Sequence, residues 1–559
     1  MGLDASRLIK AASGFPLPPG IHFSYGTAGF RADGSILDCV VFRAGIVAAL
    51  RSLNTGSTIG LMITASHNPI QDNGVKIADP NGDMLSQEWE PFAESLANES
   101  NLENVVQVVE DFMQKNGVFK VSASSGKVLL ARDTRPSGGR LLDAAKQGVE
   151  AIAGVSAEVI GVLTTPQLHW MVRATNRGVG ASEHDYYSQI SSGFKCIVDM
   201  IPMRKNLASP SELVIVDGAN GVGAMKLSGL QAIIPNVQLN VRNCGSEGGI
   251  LNELVGADYV QKERKFPQNF GHASDLTKMC ASFDGDADRI VFFYSQKSED
   301  AEGITLRLLD GDKILTLLAI FIQKHLQELR SEVHWLSSVN FGVVQTAYAN
   351  GASTKFLKEN LGVEVVLTPT GVKHLHHKAA QYDIGIYFEA NGHGTVLFKE
   401  EFFAVLTKTA PSEFRTEAAY KAARLLLAIS DVVNQAIGDA FSVLFLVESA
   451  LQYMNWTIQD WDAIYKDLPS RQLKVKVQDR AVLRTTNSET KVTHPQGLQS
   501  AIDMEVAKVT CGRAFVRPSG TEDVVRVYAE AATQDEADCL ARGVAIHVHN
   551  LAQGVGLPP

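Results

Sequence analysis

The 559-residue chain is poor in cysteine, and its six cysteines (Cys39, Cys196, Cys244, Cys280, Cys511 and Cys539) lie far apart with no C-x-x-C pair. That spacing argues against a zinc site and against a disulfide framework, and it fits reduced thiols in a cytoplasmic protein. An excess of positive charge is absent as well, because 51 Lys and Arg stand against 61 Asp and Glu, a formal charge of -10. A nucleic-acid surface is therefore not expected, a membrane-surface role is disfavoured, and any anionic ligand must find a local basic pocket. Long apolar runs are missing too: the longest, Ile314 to Ile322 with one Thr, is too short to span a bilayer. No charged leader followed by an apolar region opens the chain, so secretion is not expected. Met1-Gly2-Leu3-Asp4-Ala5-Ser6 fits the loose myristoylation pattern, a six-residue match of a kind that arises often by chance.

What is present is enough apolar material, 45% of residues, to bury several cores. At roughly 150 residues per domain, the length suggests three to four domains. The chain is organised around Thr64-Ala65-Ser66-His67-Asn68-Pro69. The apolar run Ile59 to Ile63 reads as a buried strand, and the Asn-Pro and Asp72-Asn73-Gly74 steps force a turn after it. Ser66 is thus expected on an exposed loop at a strand end. A serine there is a poor nucleophile unless a neighbour takes its proton or a cation stabilises the charge on what it carries. Upstream, the Gly-rich run SYGTAGFRADGS supplies Arg31 beside backbone that can approach a ligand. Downstream, helix is expected over 88–113 with a break near 98–101. A strand over 127–131 then leads through Arg132-Asp133-Thr134-Arg135-Pro136-Ser137-Gly138-Gly139 into a helix over 140–152. That rhythm is α/β. Residues 180–207 read as a polar connector, and LVIVDGANGVGAM from Leu213 opens a second α/β unit whose glycines do not match a dinucleotide fingerprint.

Three stretches carry further chemistry. In CASFDGDADRIVFFY, Asp284, Asp286 and Asp288 alternate just after a short strand. Carboxylates so crowded repel one another unless a cation joins them, and a divalent metal is the natural partner. An EF-hand is excluded, since its Gly and Glu positions hold Arg289 and Ser295. Beyond a helix expected from Asp310 or Asp312 to about Glu328, His374, His376 and His377 lack the spacing of a zinc helix and read as a solvated helix start. Glu389-Ala390-Asn391-Gly392-His393-Gly394 ends a strand with a carboxylate, an amide and an imidazole among glycines, which suits a polyhydroxylated ligand. A helical stretch over 416–437 follows. Last, Arg517-Pro518-Ser519-Gly520-Thr521-Glu522 sits between two strands, with Arg526 on the second. A cation, hydroxyls and an open glycine amide compose an anion site that lacks the G-K-[ST] of a P-loop.

Together TASHNP, DGDADR, EANGHG and RPSGTED resemble, in this order, the four signature loops of the α-D-phosphohexomutase superfamily. The loop ARDTRPSGG follows Ser66 here rather than preceding it. That permutation, the segment SEGGILNELVGADYVQ and Asn391 in the sugar loop resemble the phosphoacetylglucosamine mutase branch. The resemblance implies three similar α/β domains and a C-terminal α+β domain around a central cleft, with boundaries placed at 1–188, 189–305, 306–440 and 441–559. It implies interconversion of N-acetylglucosamine 6-phosphate and 1-phosphate, toward UDP-N-acetylglucosamine, with a sugar 1,6-bisphosphate as intermediate and primer. Ser66 would be the phosphoserine, and Asp284, Asp286 and Asp288 would hold Mg²⁺ with a phosphoseryl oxygen. Glu389, Asn391 and Gly392 would meet the sugar. Arg517, Ser519, Gly520, Thr521 and Arg526 would grip the phosphate that is not reacting. Lys76, the loop lysine of Asn73-Gly74-Val75-Lys76, or His393, with Arg31 nearby, would move the hydroxyl proton. The partners expected are small sugar phosphates. A phosphoglucomutase or phosphomannomutase is the other enzyme reading, and a silent sugar-phosphate-binding regulator the reading from another class.

Overall fold

The computed structural model describes residues 3–26, 29–118, 125–201, 214–234, 237–246, 248–297, 303–330, 339–409, 412, 414–520 and 522–558. Gly2 of the acylation pattern, Leu213 and Thr521 lie outside them. The chain forms two compact units, the first of Met1–Asp310, Asn391–Thr395 and Arg424–Ile458, the second of Gly311–Ala390, Val396–Ala423 and Gln459–Pro559.

The first unit holds two five-stranded sheets. In one, the strands run Phe30–Asp33, Asp72–Ala78, Thr58–Ile63, Gly126–Arg132 and Val155–Val162. The last three are mutually parallel, and Asp72–Ala78 is antiparallel to both of its neighbours. Thr58–Ile63 is buried along its whole length, which explains why its sequence is continuously apolar rather than alternating. The helices Asp38–Thr55 and Gly138–Glu150 pack on this sheet and on each other. Their close approach depends on a glycine pair: a Cβ at Gly45 would lie 2.3 Å from the Ala145 carbonyl, and one at Gly148 would lie 1.9 Å from that of Phe42. The second sheet orders Ile304–Leu309, Ile290–Lys297, Cys280–Phe283, Val214–Asp217 and Leu239–Arg242.

The segment read as a polar connector instead carries the helix Glu183–Asp199. Ser182 and Asp185 form a reciprocal capping box, and Tyr186, Tyr187, Ile190, Phe194 and Ile197 make a buried stripe at helical spacing. That stripe meets the helix Ala440–Met454, where Phe194 and Phe445 pack edge to face at 5.5 Å. The helix Ala440–Met454 is buried on every side from Ala440 to Leu451, and Glu183–Asp199 is its amphipathic partner, so the polar residues that suggest a linker are the outer face of a packed element.

The second unit holds, save for Gly394 and Thr395, a four-stranded sheet ordered Glu364–Thr368, Phe341–Thr346, Ile384–Phe388 and Gly394–Phe398, and a three-stranded sheet ordered Ser470–Lys476, Val524–Glu530 and Arg513–Pro518. Helix Gly311–Arg330 begins directly after Asp310, and the Asp312 carboxylate accepts the Asn350 amide at 2.8 Å. The mixed α/β class expected from the sequence is the class observed. No helix among the described residues is long and apolar enough to cross a membrane.

Candidate active site

Strand Thr58–Ile63 delivers Ser66, and strand Cys280–Phe283 delivers the acidic loop. The expectation of an exposed serine is corrected here, because Ser66 is 1% exposed. Its burial follows from the acidic loop lying over it: Gly285 comes so near that a Cβ there would sit 2.6 Å from the Ser66 carbonyl. Ser66 adopts a left-handed φ of 53°. The strained turn is held by three hydrogen bonds: the Ser66 amide donates to Thr64 Oγ1 at 3.0 Å, while Arg135 and Asn252 donate to the Ser66 carbonyl at 2.9 and 2.8 Å. Arg135 also donates to the carbonyls of Pro69, Asp72 and Asn68, so one buried guanidinium staples the whole turn.

The serine side chain faces the aspartates. Ser66 Oγ donates to Asp284 Oδ2 at 2.6 Å and lies 3.5 Å from Asp288 Oδ1. One oxygen from each of Asp284, Asp286 and Asp288 falls within 4.8 Å of the others, and all three residues are buried. Burial, together with the charges of Asp288 and Asp286, pushes the Asp284 carboxyl well above the usual range. Asp286 Oδ2 takes Thr165 Oγ1 at 2.6 Å and Lys76 Nζ at 3.1 Å, whereas its Oδ1 is buried without a hydrogen-bond partner among the described residues. Three hard oxygen donors, one of them orphaned, in a space too crowded for three free negative charges fit an octahedral dication such as Mg²⁺.

Cations surround this cluster. Lys76 bridges Asp286 and Asp288, each at 3.1 Å. Burial alone would favour the neutral amine, but the two carboxylates outweigh it and raise the Lys76 pKa, so its proton is firmly held. Asp288 stays well below the usual carboxylate range despite burial, because Lys76 and His393 lie beside it. His393 Nδ1 is 2.9 Å from the Asp288 carbonyl oxygen, and its Nε2 is buried without a hydrogen-bond partner among the described residues. His67 Nδ1 stands 3.4 Å from Ser66 Oγ, and burial, with the Arg289, Arg31 and Lys262 charges, keeps its imidazole neutral. Arg31 donates to Asn68 Oδ1 at 3.0 Å. Burial and the Arg289 charge lower its pKa against the pull of Asp286 and Asp288.

Of the residues expected to act together, the structure thus gathers Ser66, Asp284, Asp286, Asp288, Lys76 and His393, with Arg31 on the serine turn. The sugar loop divides at the unit boundary, with Glu389 in the second unit and Asn391 and Gly392 in the first. Asn391 Oδ1 accepts the His393 amide at 2.9 Å, and Gly392 has φ 86° with no room for a Cβ, which would lie 1.9 Å from the Ile290 carbonyl. His374, His376 and His377 lie on the helix Val372–Ala379, where His376 Nδ1 meets Tyr387 OH at 3.1 Å. Among the described residues they form no metal cluster.

In the second unit, Arg517 and Arg526 are directly opposite on antiparallel strands, and the next strand places Lys474 opposite Arg526. Like charges in cross-strand register destabilise a sheet unless an anion joins them. Arg517 Nε donates to Tyr348 OH at 3.0 Å and its Nη1 is 3.9 Å from Glu489, whereas Arg526 Nε is buried without a hydrogen-bond partner among the described residues. The Ser519 amide donates to the Val524 carbonyl at 2.9 Å, and open space surrounds Gly520.

Thr64, Asp133, Arg135, Thr165, Asn252 and Lys474 were not singled out from the sequence as functional residues. For Lys474 the alternation Leu473-Lys474-Val475-Lys476 was a usable signal, since it puts lysine on one face of a strand. Thr165 and Asn252 carry no local pattern at all.

Family models match most of the chain: "Phosphoacetylglucosamine mutase AMG1, domain II" over residues 176–291 and domain III over 310–456. "Phosphoglucomutase/phosphomannomutase" models match as alpha/beta/alpha domain I over 45–103 and 92–182, and as the C-terminal domain over 473–547. The Arabidopsis thaliana phosphoacetylglucosamine mutase is 52% identical over 97% of this chain and 98% of its own. The Aspergillus fumigatus N-acetylphosphoglucosamine mutase, solved in complex with GlcNAc-6P and magnesium, is 39% identical with a TM-score of 0.89, covering 98% of this chain and 99% of that one. A variant of the Aspergillus fumigatus enzyme, solved with glucose 1,6-bisphosphate, gives 39% identity and a TM-score of 0.88 over 99% of this chain and 100% of that one. Such identity over nearly the full length of both chains, on the same four-domain α/β fold, means that this chain belongs to the phosphoacetylglucosamine mutase family.

Proposed function

We propose that this protein interconverts N-acetylglucosamine 6-phosphate and N-acetylglucosamine 1-phosphate through a phosphorylated Ser66 and a sugar 1,6-bisphosphate, in UDP-N-acetylglucosamine synthesis. The observation that carries the reading is the 2.6 Å hydrogen bond from Ser66 Oγ into the cluster of buried aspartates. Among the described residues the shorter hydrogen bond of that serine runs to a carboxylate and the imidazole of His67 stands at 3.4 Å, which is not the close serine–imidazole pairing of an acyl-transfer nucleophile. A carrier of phosphoryl groups, by contrast, needs positioning and charge neutralisation above all.

Asp284, Asp286 and Asp288 would hold Mg²⁺ beside the phosphorylated Ser66. Bound there, the ion supplies charge neutralisation as the phosphoryl group moves. The P–O bond to Ser66 breaks as one to the free sugar hydroxyl forms, and the hydroxyl proton passes to a base. His393 suits that task better than Lys76. Its Nδ1 faces a backbone carbonyl and so carries the hydrogen, which leaves the unpartnered Nε2 as an acceptor, whereas Lys76 keeps its proton between two carboxylates. Lys76 and Arg31 serve as fixed positive charges. The sugar is read by Glu389, Asn391 and Gly392. Arg517, Ser519, Gly520, Thr521 and Arg526 hold the phosphate that is not reacting, with Lys474 extending the cationic row. We assign domains at 1–188, 189–305, 306–440 and 441–559, and place the protein in the cytoplasm, where its six free cysteines stay reduced.

A coupled assay with N-acetylglucosamine 6-phosphate, Mg²⁺ and a sugar 1,6-bisphosphate primer tests the reading, run beside the 6-phosphates of glucose and mannose. Turnover that prefers the acetamido sugar is expected. A clear preference for glucose 6-phosphate, or no turnover of N-acetylglucosamine 6-phosphate, overturns it.

A further inference from the structure

The segment from Asn434 to Ala440 belongs to none of the motif loops, yet it touches three parts of the Ser66 site. First, the Ala440 amide donates to the Ala287 carbonyl at 3.0 Å. Ala287 sits between two of the aspartates with a left-handed φ of 58°, and that backbone setting aims Asp286 and Asp288. Second, Gly438 lies against His393 and the acidic loop, since a Cβ there would be 2.8 Å from the imidazole and 2.9 Å from the Asp288 carbonyl. Third, the Asn434 carbonyl accepts Thr395 Oγ1 at 2.7 Å, two residues beyond His393, and Asn434 Nδ2 donates to the Pro166 carbonyl at 3.1 Å, beside the Thr165 that holds Asp286.

Asn434 is the centre of this bracket. Its Nδ2 also donates to Asp439 Oδ2 at 3.0 Å, and its Oδ1 accepts the Ala436 amide at 3.0 Å. Asp439 in turn accepts Tyr186 OH at 2.6 Å and caps the helix Ala440–Met454 through the Phe441 and Ser442 amides. Every polar atom of the Asn434 side chain is therefore committed, and the residue is buried. Such a fully satisfied buried network specifies one geometry.

We infer that Asn434 is a positioning residue for the acidic loop and for His393, acting through Pro166, Thr395 and the Asp439–Ala440 step. The inference rests on the metal-and-phosphoserine reading above. Groups that orient metal ligands without touching the ion typically govern metal affinity or activity by about 10–100-fold when removed. A residue that only holds the fold together would instead lower thermal stability and leave the folded site unchanged.

The test titrates Mn²⁺ into the metal-stripped full-length protein, reading free Mn²⁺ by electron paramagnetic resonance, alongside kcat, KM and the melting temperature. Asn434→Ala is expected to weaken Mn²⁺ binding by about 10-fold and to lower kcat by a similar factor, with KM for N-acetylglucosamine 6-phosphate changed far less. Equal Mn²⁺ binding and kcat in folded N434A and wild type overturn the inference alone. Absence of Mn²⁺ binding by the wild type overturns the metal reading and this inference with it. If N434A does not fold, Thr395→Val takes its place, removing one hydroxyl from the bracket. A fall in kcat and Mn²⁺ affinity at an unchanged melting temperature supports the inference, and wild-type values for both overturn it.

Discussion

Asn252 donates its side-chain amide to the Ser66 carbonyl at 2.8 Å, reaching from a turn that follows the strand Leu239–Arg242 to a residue 186 positions earlier in the chain. Arg135 meets the same oxygen at 2.9 Å. The serine turn is thus tied from both sides, and its neighbours bear directly on what substitutions there will do.

Arg135→Met leaves Asp133 buried and without its cation, and takes one donor away from each of four carbonyls, of which Asn252 still holds those of Ser66 and Asn68. Breaking one side of a buried ion pair costs about 3–5 kcal/mol. A fall of several degrees in melting temperature is expected, partly restored in Arg135→Met/Asp133→Asn. Scanning calorimetry of the single and double variants checks this, and an additive double variant counts against it.

Ser66→Gly and Ser66→Ala both remove the phosphoryl carrier, and neither is expected to gain mass after incubation with a sugar 1,6-bisphosphate. They differ in backbone cost, since φ at this position is 53°. A left-handed residue other than glycine is strained by roughly 1–2 kcal/mol, so S66G is expected to melt above S66A. Intact mass and thermal scans of both read the two statements separately.

Asp286→Asn removes one of three crowded charges while keeping the shape. Activity is expected to fall on the order of 10²-fold or more, as a metal-holding carboxylate is lost. In EDTA, however, the variant is expected to melt no lower than wild type, because like-charge repulsion is relieved. A D286N protein with full activity would refute the metal assignment.

The phosphate row separates by exposure. Arg526 has a buried nitrogen with no hydrogen-bond partner among the described residues, whereas the Lys474 side chain is 59% exposed beside Glu522. A charge-assisted hydrogen bond contributes about 1.5–3 kcal/mol, so Arg526→Ala is expected to raise KM by about 10–100-fold. An exposed charge is screened and contributes up to about 1 kcal/mol, so Lys474→Ala is expected to raise KM no more than about fivefold, less at high salt. Steady-state kinetics at two ionic strengths decides both.

His169 supplies a pH dependence of stability. Burial lowers its pKa from 6.5 to about 4, against the Gly82 carbonyl that its Nδ1 meets at 2.6 Å. The unfolded chain therefore takes up a proton that the folded one refuses. Stability is full above pH 6.5 and is lost as the pH falls toward 4, by at most about 3 kcal/mol from this group. The fall in melting temperature between pH 7 and pH 5 is expected to shrink in His169→Gln, and equal falls in the two proteins would remove His169 from the account.

The serine turn, the three aspartates and His393 were legible because each sits in a short run whose composition departs from ordinary loop chemistry, whereas Lys76 was reached only through the family resemblance. Carboxylates at Asp284, Asp286 and Asp288 announce a cation without any knowledge of the fold. The burial of Ser66 was not legible, because the chain that covers it arrives more than two hundred residues later. Thr165, Asn252 and Asn434 were invisible for a related reason: a single polar residue has no local signature, and only tertiary contact gives it a task. The helix Glu183–Asp199 escaped because its polar outer face dominates its composition, although Ser182 and Asp185 spell a capping box. The three histidines of Val372–Ala379 show the opposite case, a suggestive cluster whose spacing alone was enough to set the metal reading aside.

A serine whose amide and carbonyl are both pinned cannot swing toward one end of a substrate and then the other. With the peptide at Ser66 anchored by Thr64, Arg135 and Asn252, only the last rotatable bonds of the side chain remain free. A hexose ring separates its two phosphorylated oxygens by more than that reach. The sugar bisphosphate must therefore be the part that turns around between accepting one phosphate from Ser66 and returning the other to it, and the protein keeps its carrier still while it does.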